Sequence, residues 1–250
     1  MMENIGSLLI QNNLTAIIEV IVFPILFIIC LRRISHSCKQ LIANRYGLRG
    51  QIFFGWFGVV IHEFSHLIVA LLFGHKITGF RLLHVPNGDG DNKLGYVNHS
   101  YNAKSSYQRT GNLFIGIAPI FGCAIALIIA TSLLTPSLLQ QMHALPNFQM
   151  DWQIFKLDRI WKLPVLIIIA GNISIGGFDL SDADLTHIKF GLIIIIGLII
   201  VATSFATLLG VGSIYINWLH LFSTTVNGIL FFSLVVVLIS NGVIRLITNY

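Results

Sequence analysis

The chain has 250 residues, of which 55% are hydrophobic and only 10% are charged, with a formal net charge of +5. A typical soluble domain has roughly 25% charged residues, so this chain lacks the polar side chains that a water-exposed surface needs. The composition predicts an all-α integral membrane protein and excludes disordered, collagen-like and disulfide-rich secreted classes. The basic residues lie between apolar runs, which indicates contact with anionic lipid headgroups and no nucleic-acid partner.

A helix that spans a membrane needs about 20 mainly apolar residues. In chain order, six such segments are predicted at residues 14–31, 51–74, 112–135, 163–178, about 188–216 and about 219–247. The fourth is short and contains several glycines, which predicts a broken helix that ends inside the protein beside a cavity. Residues 1–250 are interpreted as a single polytopic membrane domain.

Three more polar stretches separate these segments. Residues 32–50 hold five Lys and Arg and no acidic residue, so we expect a cytoplasmic loop. Residues 75–110 contain two β-like runs around Pro-Asn-Gly-Asp-Gly-Asp-Asn, which predicts a short hairpin after the second helix. Residues 136–162 contain Trp152 and Trp161 among mixed charges, as is typical of an interfacial segment.

One motif in the second apolar segment indicates chemistry: His62-Glu63-Phe64-Ser65-His66. On a helix, residues four apart lie on one face, so the two imidazoles can bind one Zn²⁺ and Glu63 can act as general base on a metal-bound water. Glu63 is the only acidic residue between Glu19 and Asp89, and an ionisable group inside a membrane costs at least ~2.5 kcal/mol. The alternative is a buried polar cluster with a protonated Glu63. The setting favours a zinc site.

Tetrahedral zinc needs a third protein ligand, and the best candidates follow the short fourth segment. Asp179, Asp182 and Asp184 lie within the run from Gly176 to Leu185, and the pattern leaves all three open. The alternative role is structural, because Ser181 and Asp184 have the spacing of a capping box that opens the next helix. Other histidines in polar stretches are weaker ligand candidates: His75, His84, His99 and His187.

With these motifs, the chain resembles the site-2 protease class of intramembrane zinc metallopeptidases, the M50 group. The resemblance covers about residues 50–190, a metallopeptidase-like core to which helices 14–31, 188–216 and 219–247 are additional. The run from Gly55 to Gly74 and the later Leu-Ser-Asp-Ala-Asp-Leu at 180–185 are similar to small bacterial M50-like membrane proteins. The resemblance implies a multi-pass protein of the bacterial plasma membrane.

The resemblance also implies a mechanism. Its distal motif assigns the third ligand to Asp184, with His62 and His66 as the other two ligands of Zn²⁺. Glu63 takes a proton from the attacking water and passes it to the leaving amine. The substrate is expected to be a membrane-embedded or membrane-adjacent peptide segment. The β-like region at 75–110 is expected to receive it in extended form by edge pairing.

Some alternatives remain open at the level of sequence. Asn112 and Asn172 are candidate donors to the oxyanion, although helix capping or bonding between helices explains them as well. The better-known M50 members have a proline after the asparagine and a glycine after the aspartate; here no proline follows Asn172, and Leu185 follows Asp184. A prenyl-protein protease would need a distal glutamate, and none follows Glu63. The remaining rival is a non-proteolytic zinc-binding membrane protein, either a degenerate protease that binds partners or a metal transporter.

Overall fold

The structure, a computed structural model, describes residues 2–85, 94–136, 161–186 and 188–248. Its helices are α1 (Met2–Ile17), a π-helical turn (Ile18–Val22), α2 (Phe23–Leu72), α3 (Ser106–Leu134), α4 (Lys162–Gly176), α5 (Asp182–Thr186), α6 (Ile188–Leu208) and α7 (Gly212–Thr248). Two strands, β1 (Lys76–Arg81) and β2 (Tyr96–Ser100), lie between α2 and α3. The molecule is therefore mostly helical, with one small sheet.

Five helical segments are long and apolar enough to cross a membrane: Ile5–Gly47, Arg49–Leu72, Ser106–Leu134, Ile188–Leu208 and Gly212–Thr248. This is the architecture of a helical membrane protein. The predicted fourth span corresponds to α4, which has 15 residues and a length of about 22 Å, less than a bilayer core of about 30 Å. The described residues thus contain five long helices and one short apolar helix where about six spans were predicted, and the short helix is the fourth, as expected.

The predicted loop at residues 32–50 is wrong, because helix α2 continues through it. The apolar stretch 14–31 is the central part of a single helical segment, Ile5–Gly47. The chain bends at Gly47, which has a positive φ of 69° inside α2. Charged side chains do not end a helix, whereas a glycine in a left-handed conformation does. The basic residues of this stretch lie along a helix, from which Arg32 contacts Asp182 and Lys39 contacts Asp179.

The predicted boundary between the last two spans, 188–216 and 219–247, is also wrong. The break lies at Gly210, which has a φ of 76°. The Val211 amide donates to the Ala206 carbonyl at 3.0 Å and the Gly210 amide donates to the Thr207 carbonyl at 3.1 Å, the hydrogen bonds of a Schellman motif. Apolar residues continue on both sides of this turn, so hydrophobicity alone did not reveal it.

The predicted hairpin is confirmed as a two-stranded antiparallel sheet. β1 pairs with β2 from Lys76 opposite Ser100 to Arg81 opposite Tyr96, with an irregularity between Ile77 and Gly79. The predicted Asp-Gly turn lies outside the described residues, as does nearly all of the predicted interfacial segment at 136–162.

Glycines bring the Arg49–Leu72 helix and α4 unusually close together. A Cβ atom at Gly58 would lie 2.7 Å from the Asn172 carbonyl oxygen and 2.8 Å from the Gly177 amide nitrogen, and one at Gly176 would meet the Gly55 carbonyl. The Asn172 side chain also accepts hydrogen bonds from the Phe57 and Gly58 amides, at 2.8 and 3.3 Å. Asn172 therefore bonds one helix to another, which is one of the roles that the sequence left open for it.

Candidate metal centre

His62, His66 and Asp184 meet at the centre of the helical packing. The Nε2 atoms of the two histidines are 3.2 Å apart. The Asp184 carboxylate lies 3.1 Å from His66 Nε2 through Oδ1 and 3.9 Å from His62 Nε2 through Oδ2. Both histidines are buried, with exposures of 8% and 6%. Residues from the first and the last third of the chain thus form one compact cluster.

Backbone carbonyls orient both imidazole rings. His62 Nδ1 lies 2.8 Å from the Gly177 carbonyl oxygen, and His66 Nδ1 lies 2.8 Å from the Ile115 carbonyl oxygen. A carbonyl oxygen accepts hydrogen bonds and donates none, so each Nδ1 must carry the proton. Each neutral ring then presents an unprotonated Nε2 to the cluster, which is the arrangement that metal-binding histidines use.

The three side chains of the cluster therefore direct lone pairs at one another, and none of them places a hydrogen-bond donor between the others. Two imidazole lone pairs and a carboxylate converge, with separations of 3.1, 3.2 and 3.9 Å, an arrangement that a cation stabilises. Ligands held about 2.0–2.1 Å from a tetrahedral ion lie roughly 3.3–3.4 Å from one another. The two short separations of 3.1 and 3.2 Å are close to that value. The two nitrogen ligands, the carboxylate ligand and their spacing fit a divalent metal ion such as Zn²⁺.

Asp184 combines the two roles that the sequence offered as alternatives. Its Oδ2 atom accepts hydrogen bonds from the Ser181 amide and hydroxyl, both at 2.7 Å, which makes a capping box at the start of α5. Its Oδ1 atom faces His66. The cap thus holds the carboxylate toward the histidines.

The other two aspartates point to the basic part of the first long helix. Asp179 lies 3.2 Å from Lys39 Nζ and 3.2 Å from His36 Nδ1, and Asp182 lies 2.6 Å from an Arg32 guanidinium nitrogen. Arg32 also donates from Nε to the Leu180 carbonyl at 2.8 Å. These contacts fasten the segment before α5 on both sides of Ser181. They leave Asp184 as the aspartate that faces the two histidines.

Three of the alternative histidine ligands are described, and their contacts lie outside the cluster of His62, His66 and Asp184, although His99 lines the adjoining cavity. His75 Nδ1 lies 2.9 Å from His99 Nδ1, and His75 Nε2 lies 2.9 Å from the Gln108 carbonyl oxygen. His84 lies 3.2 Å from an Arg81 guanidinium nitrogen. His187 is outside the described residues.

The cluster opens into a cavity of about 400 Å³. Glu63 lines this cavity beside His62 and His66 and has an exposure of only 9%. The lining also includes the residues that lead into and form β2, among them Leu94, Gly95, Tyr96 and Val97. A Cβ atom at Gly95 would lie 2.6 Å from Glu63 Cγ, so this glycine lets the strand pack directly on the glutamate. In the sequence, the one indication of that contact is a glycine just before a strand.

Comparisons with models of protein families, with curated proteins and with solved structures find no match to this chain. The fold and the cluster define a helical membrane protein with a buried site of two histidines and one carboxylate.

The third ligand can be tested by comparing two aspartates of the same segment. We expect Asp184→Ala to weaken zinc binding by at least about 100-fold, because it removes a ligand. Asp179→Ala should change zinc affinity by less than about tenfold, because Asp179 pairs with Lys39 and His36. Competition with a fluorescent zinc chelator in detergent measures both affinities. The opposite order of effects would assign the ligand to Asp179.

Proposed function

We propose that this chain is an intramembrane zinc metallopeptidase that hydrolyses peptide bonds of membrane-embedded or membrane-adjacent substrates. The observation that carries the proposal is the pair of carbonyl-oriented histidines, which direct two lone pairs toward the Asp184 carboxylate beside a buried glutamate. A site with three protein ligands and access to a cavity is typical of catalytic rather than structural zinc. The sequence resemblance to small bacterial M50-like membrane proteins supports the further proposal that the protein lies in a bacterial plasma membrane.

His62, His66 and Asp184 would hold the ion, and a nitrogen, nitrogen and carboxylate set suits Zn²⁺. When bound, zinc lowers the pKa of a coordinated water and polarises a carbonyl group. The Gly177 and Ile115 carbonyls keep both imidazole rings in the tautomer and orientation that ligation needs. The capping box around Ser181 does the same for the carboxylate.

Glu63 is the proposed general base and acid. It accepts a proton from the water as the water oxygen bonds to the carbonyl carbon of the substrate. It then gives that proton to the amide nitrogen as the carbon–nitrogen bond breaks, so the products are a carboxylic acid and an amine. Its position beside both histidines on one helix, in the wall of the cavity, supports this role.

Strand β2 is the proposed docking edge for the substrate. A helical segment hides its carbonyls in hydrogen bonds, so it must become extended before hydrolysis. The described sheet has only two strands, β1 and β2, and β2 residues line the same cavity as the cluster. An extended peptide that pairs with the outer edge of β2 would lie beside the cavity that His62, His66 and Glu63 line.

The general base is tested with Glu63→Gln, with His62→Ala as the comparison. Glu63→Gln should retain zinc and lose at least about 100-fold in hydrolysis, because it keeps the shape but cannot take a proton. His62→Ala should lose both zinc and hydrolysis. The protein is reconstituted in liposomes with a panel of synthetic transmembrane peptides, fragments are quantified by mass spectrometry, and zinc is measured in the same samples. Hydrolysis by Glu63→Gln at the wild-type rate would remove Glu63 from the mechanism.

The packing of β2 on the general base is tested with two glycines of the same sheet region. In Gly95→Ala the new methyl group would lie 2.6 Å from Glu63 Cγ, whereas in Gly79→Ala the nearest atom is 3.9 Å away. Because small displacements of a catalytic group slow hydrolysis strongly, we expect kcat to fall by about tenfold or more in Gly95→Ala, with zinc content unchanged. Gly79→Ala should behave as wild type. Equal activity of the two variants would contradict the proposed contact.

Zinc transport is the second candidate function, because the helices hold another polar site. Glu19 Oε1 lies 2.9 Å from His220 Nδ1, and Ser223 Oγ donates to Glu19 Oε2 at 2.8 Å. Glu19 precedes Arg32 by thirteen residues, or about 20 Å along the helix. Ionisable groups at two depths are a feature of transport paths. Zinc uptake into proteoliposomes, without peptide hydrolysis by the same preparation, would favour transport over proteolysis.

A further inference from the structure

The Asn112 side chain is buried at the cavity wall without a hydrogen-bond partner among the described residues. It has an exposure of 7% and lines the cavity that contains the cluster. Two other asparagines of the helices bond within the protein, since Asn12 donates to Thr207 Oγ1 at 3.0 Å and Asn172 accepts from two amides. Among the described residues, the enclosed side-chain atoms without a partner are Asn13 Oδ1, Thr203 Oγ1 and Asn227 Oδ1. The Asn112 amide is not one of these; it lines the cavity, where a ligand can become its partner.

The position of Asn112 on α3 connects it to both halves of the cluster. Asn112, Ile115 and Gly116 lie on one face of the helix, at positions i, i+3 and i+4. The Ile115 carbonyl orients His66, and a Cβ atom at Gly116 would meet the Asp184 carbonyl. The Asn112 amide therefore lies within about one helical turn, or about 6 Å along the axis, of the contacts that hold two proposed ligands.

The chemistry of the cavity calls for a hydrogen-bond donor at this wall. Glu63 and Asp184 are carboxyl groups, and both histidines present Nε2 lone pairs. The basic side chains of Lys39 and His99, which also line the cavity, are hydrogen-bonded to Asp179 and His75. An asparagine amide offers two N–H donors that remain neutral at every relevant pH.

We propose that Asn112 donates a hydrogen bond to the carbonyl oxygen of the scissile peptide bond and stabilises the negative charge that develops there. The inference rests on the proposed peptidase function. As the water oxygen bonds to the carbonyl carbon, the electron pair of the carbon–oxygen double bond moves onto the oxygen. A donor held in place before the reaction stabilises this charge without rearrangement.

The test separates a donor to the substrate from a structural asparagine by two readouts. Asn112→Leu, which has a similar shape, should lower kcat by about 10²–10³-fold with little change in KM. It should leave the thermal unfolding midpoint of the metal-free protein no lower than that of the wild type, because no described residue bonds this amide. Asn12→Leu is the matched control: it should lower the unfolding midpoint and leave kcat unchanged, because it breaks a bond to Thr207.

A second variant and a binding probe complete the design. Asn112→Asp keeps the shape but removes both donors, so kcat should fall at least as far as in Asn112→Leu. The probe is a phosphoramidate analogue of the best-cleaved peptide of the panel, whose charged phosphoryl oxygen stands in for the developing oxyanion. Each Asn112 variant should bind it about 10²-fold more weakly, with zinc content unchanged.

The outcomes distinguish this inference from the proposed function. A wild-type protein that binds zinc and hydrolyses peptides, with Asn112→Leu equally active, would overturn the role of Asn112 and leave the peptidase intact. A lower unfolding midpoint in Asn112→Leu would overturn it independently of activity, because it would show a stabilising role. A wild-type protein that hydrolyses no peptide of the panel would contradict the proposed function itself.

Discussion

Two hydrogen bonds from imidazole to backbone carbonyls determine what the centre of this protein can do. They fix the proton of each ring on Nδ1 and leave two Nε2 lone pairs facing the Asp184 carboxylate. Without a cation, this arrangement concentrates negative potential in a buried place. The carbonyls of Gly177 and Ile115 come from the end of α4 and from α3, so the site exists only when three helices are packed together.

Glycine makes that packing possible. At Gly58, Gly176 and Gly55 the Arg49–Leu72 helix and α4 approach so closely that no side chain fits between them. In a membrane, where lipid is as apolar as leucine, small residues at helix contacts supply much of the association through close packing. The shortness of α4 then has a function, since its end at Gly176 delivers the Gly177 carbonyl to His62 at a depth where a full span would have continued.

The sequence predicted those parts of the site that depend on local periodicity. His62, Glu63 and His66 are one turn apart, so their spacing alone brings them to one face of a helix. The third metal ligand could not be chosen from local spacing, because Asp179, Asp182 and Asp184 lie in one short run. The difference between them is tertiary: two pair with Arg32, His36 and Lys39, about 140–150 residues earlier in the chain, and one does not. The sequence favours a loop at residues 32–50 because the acidic partners of its basic side chains lie far along the chain.

We expect two imidazoles and a distant carboxylate to hold a divalent metal inside the helical packing. The most direct test of this metal binding is the zinc content of the detergent-purified wild type beside that of His66→Ala. Inductively coupled plasma mass spectrometry measures the zinc content of both. We expect about one zinc ion per wild-type chain and almost none in the variant, because a catalytic zinc site does not survive the loss of one of three protein ligands. Equal metal content in the two proteins, or none in the wild type after reconstitution with zinc, would contradict the account.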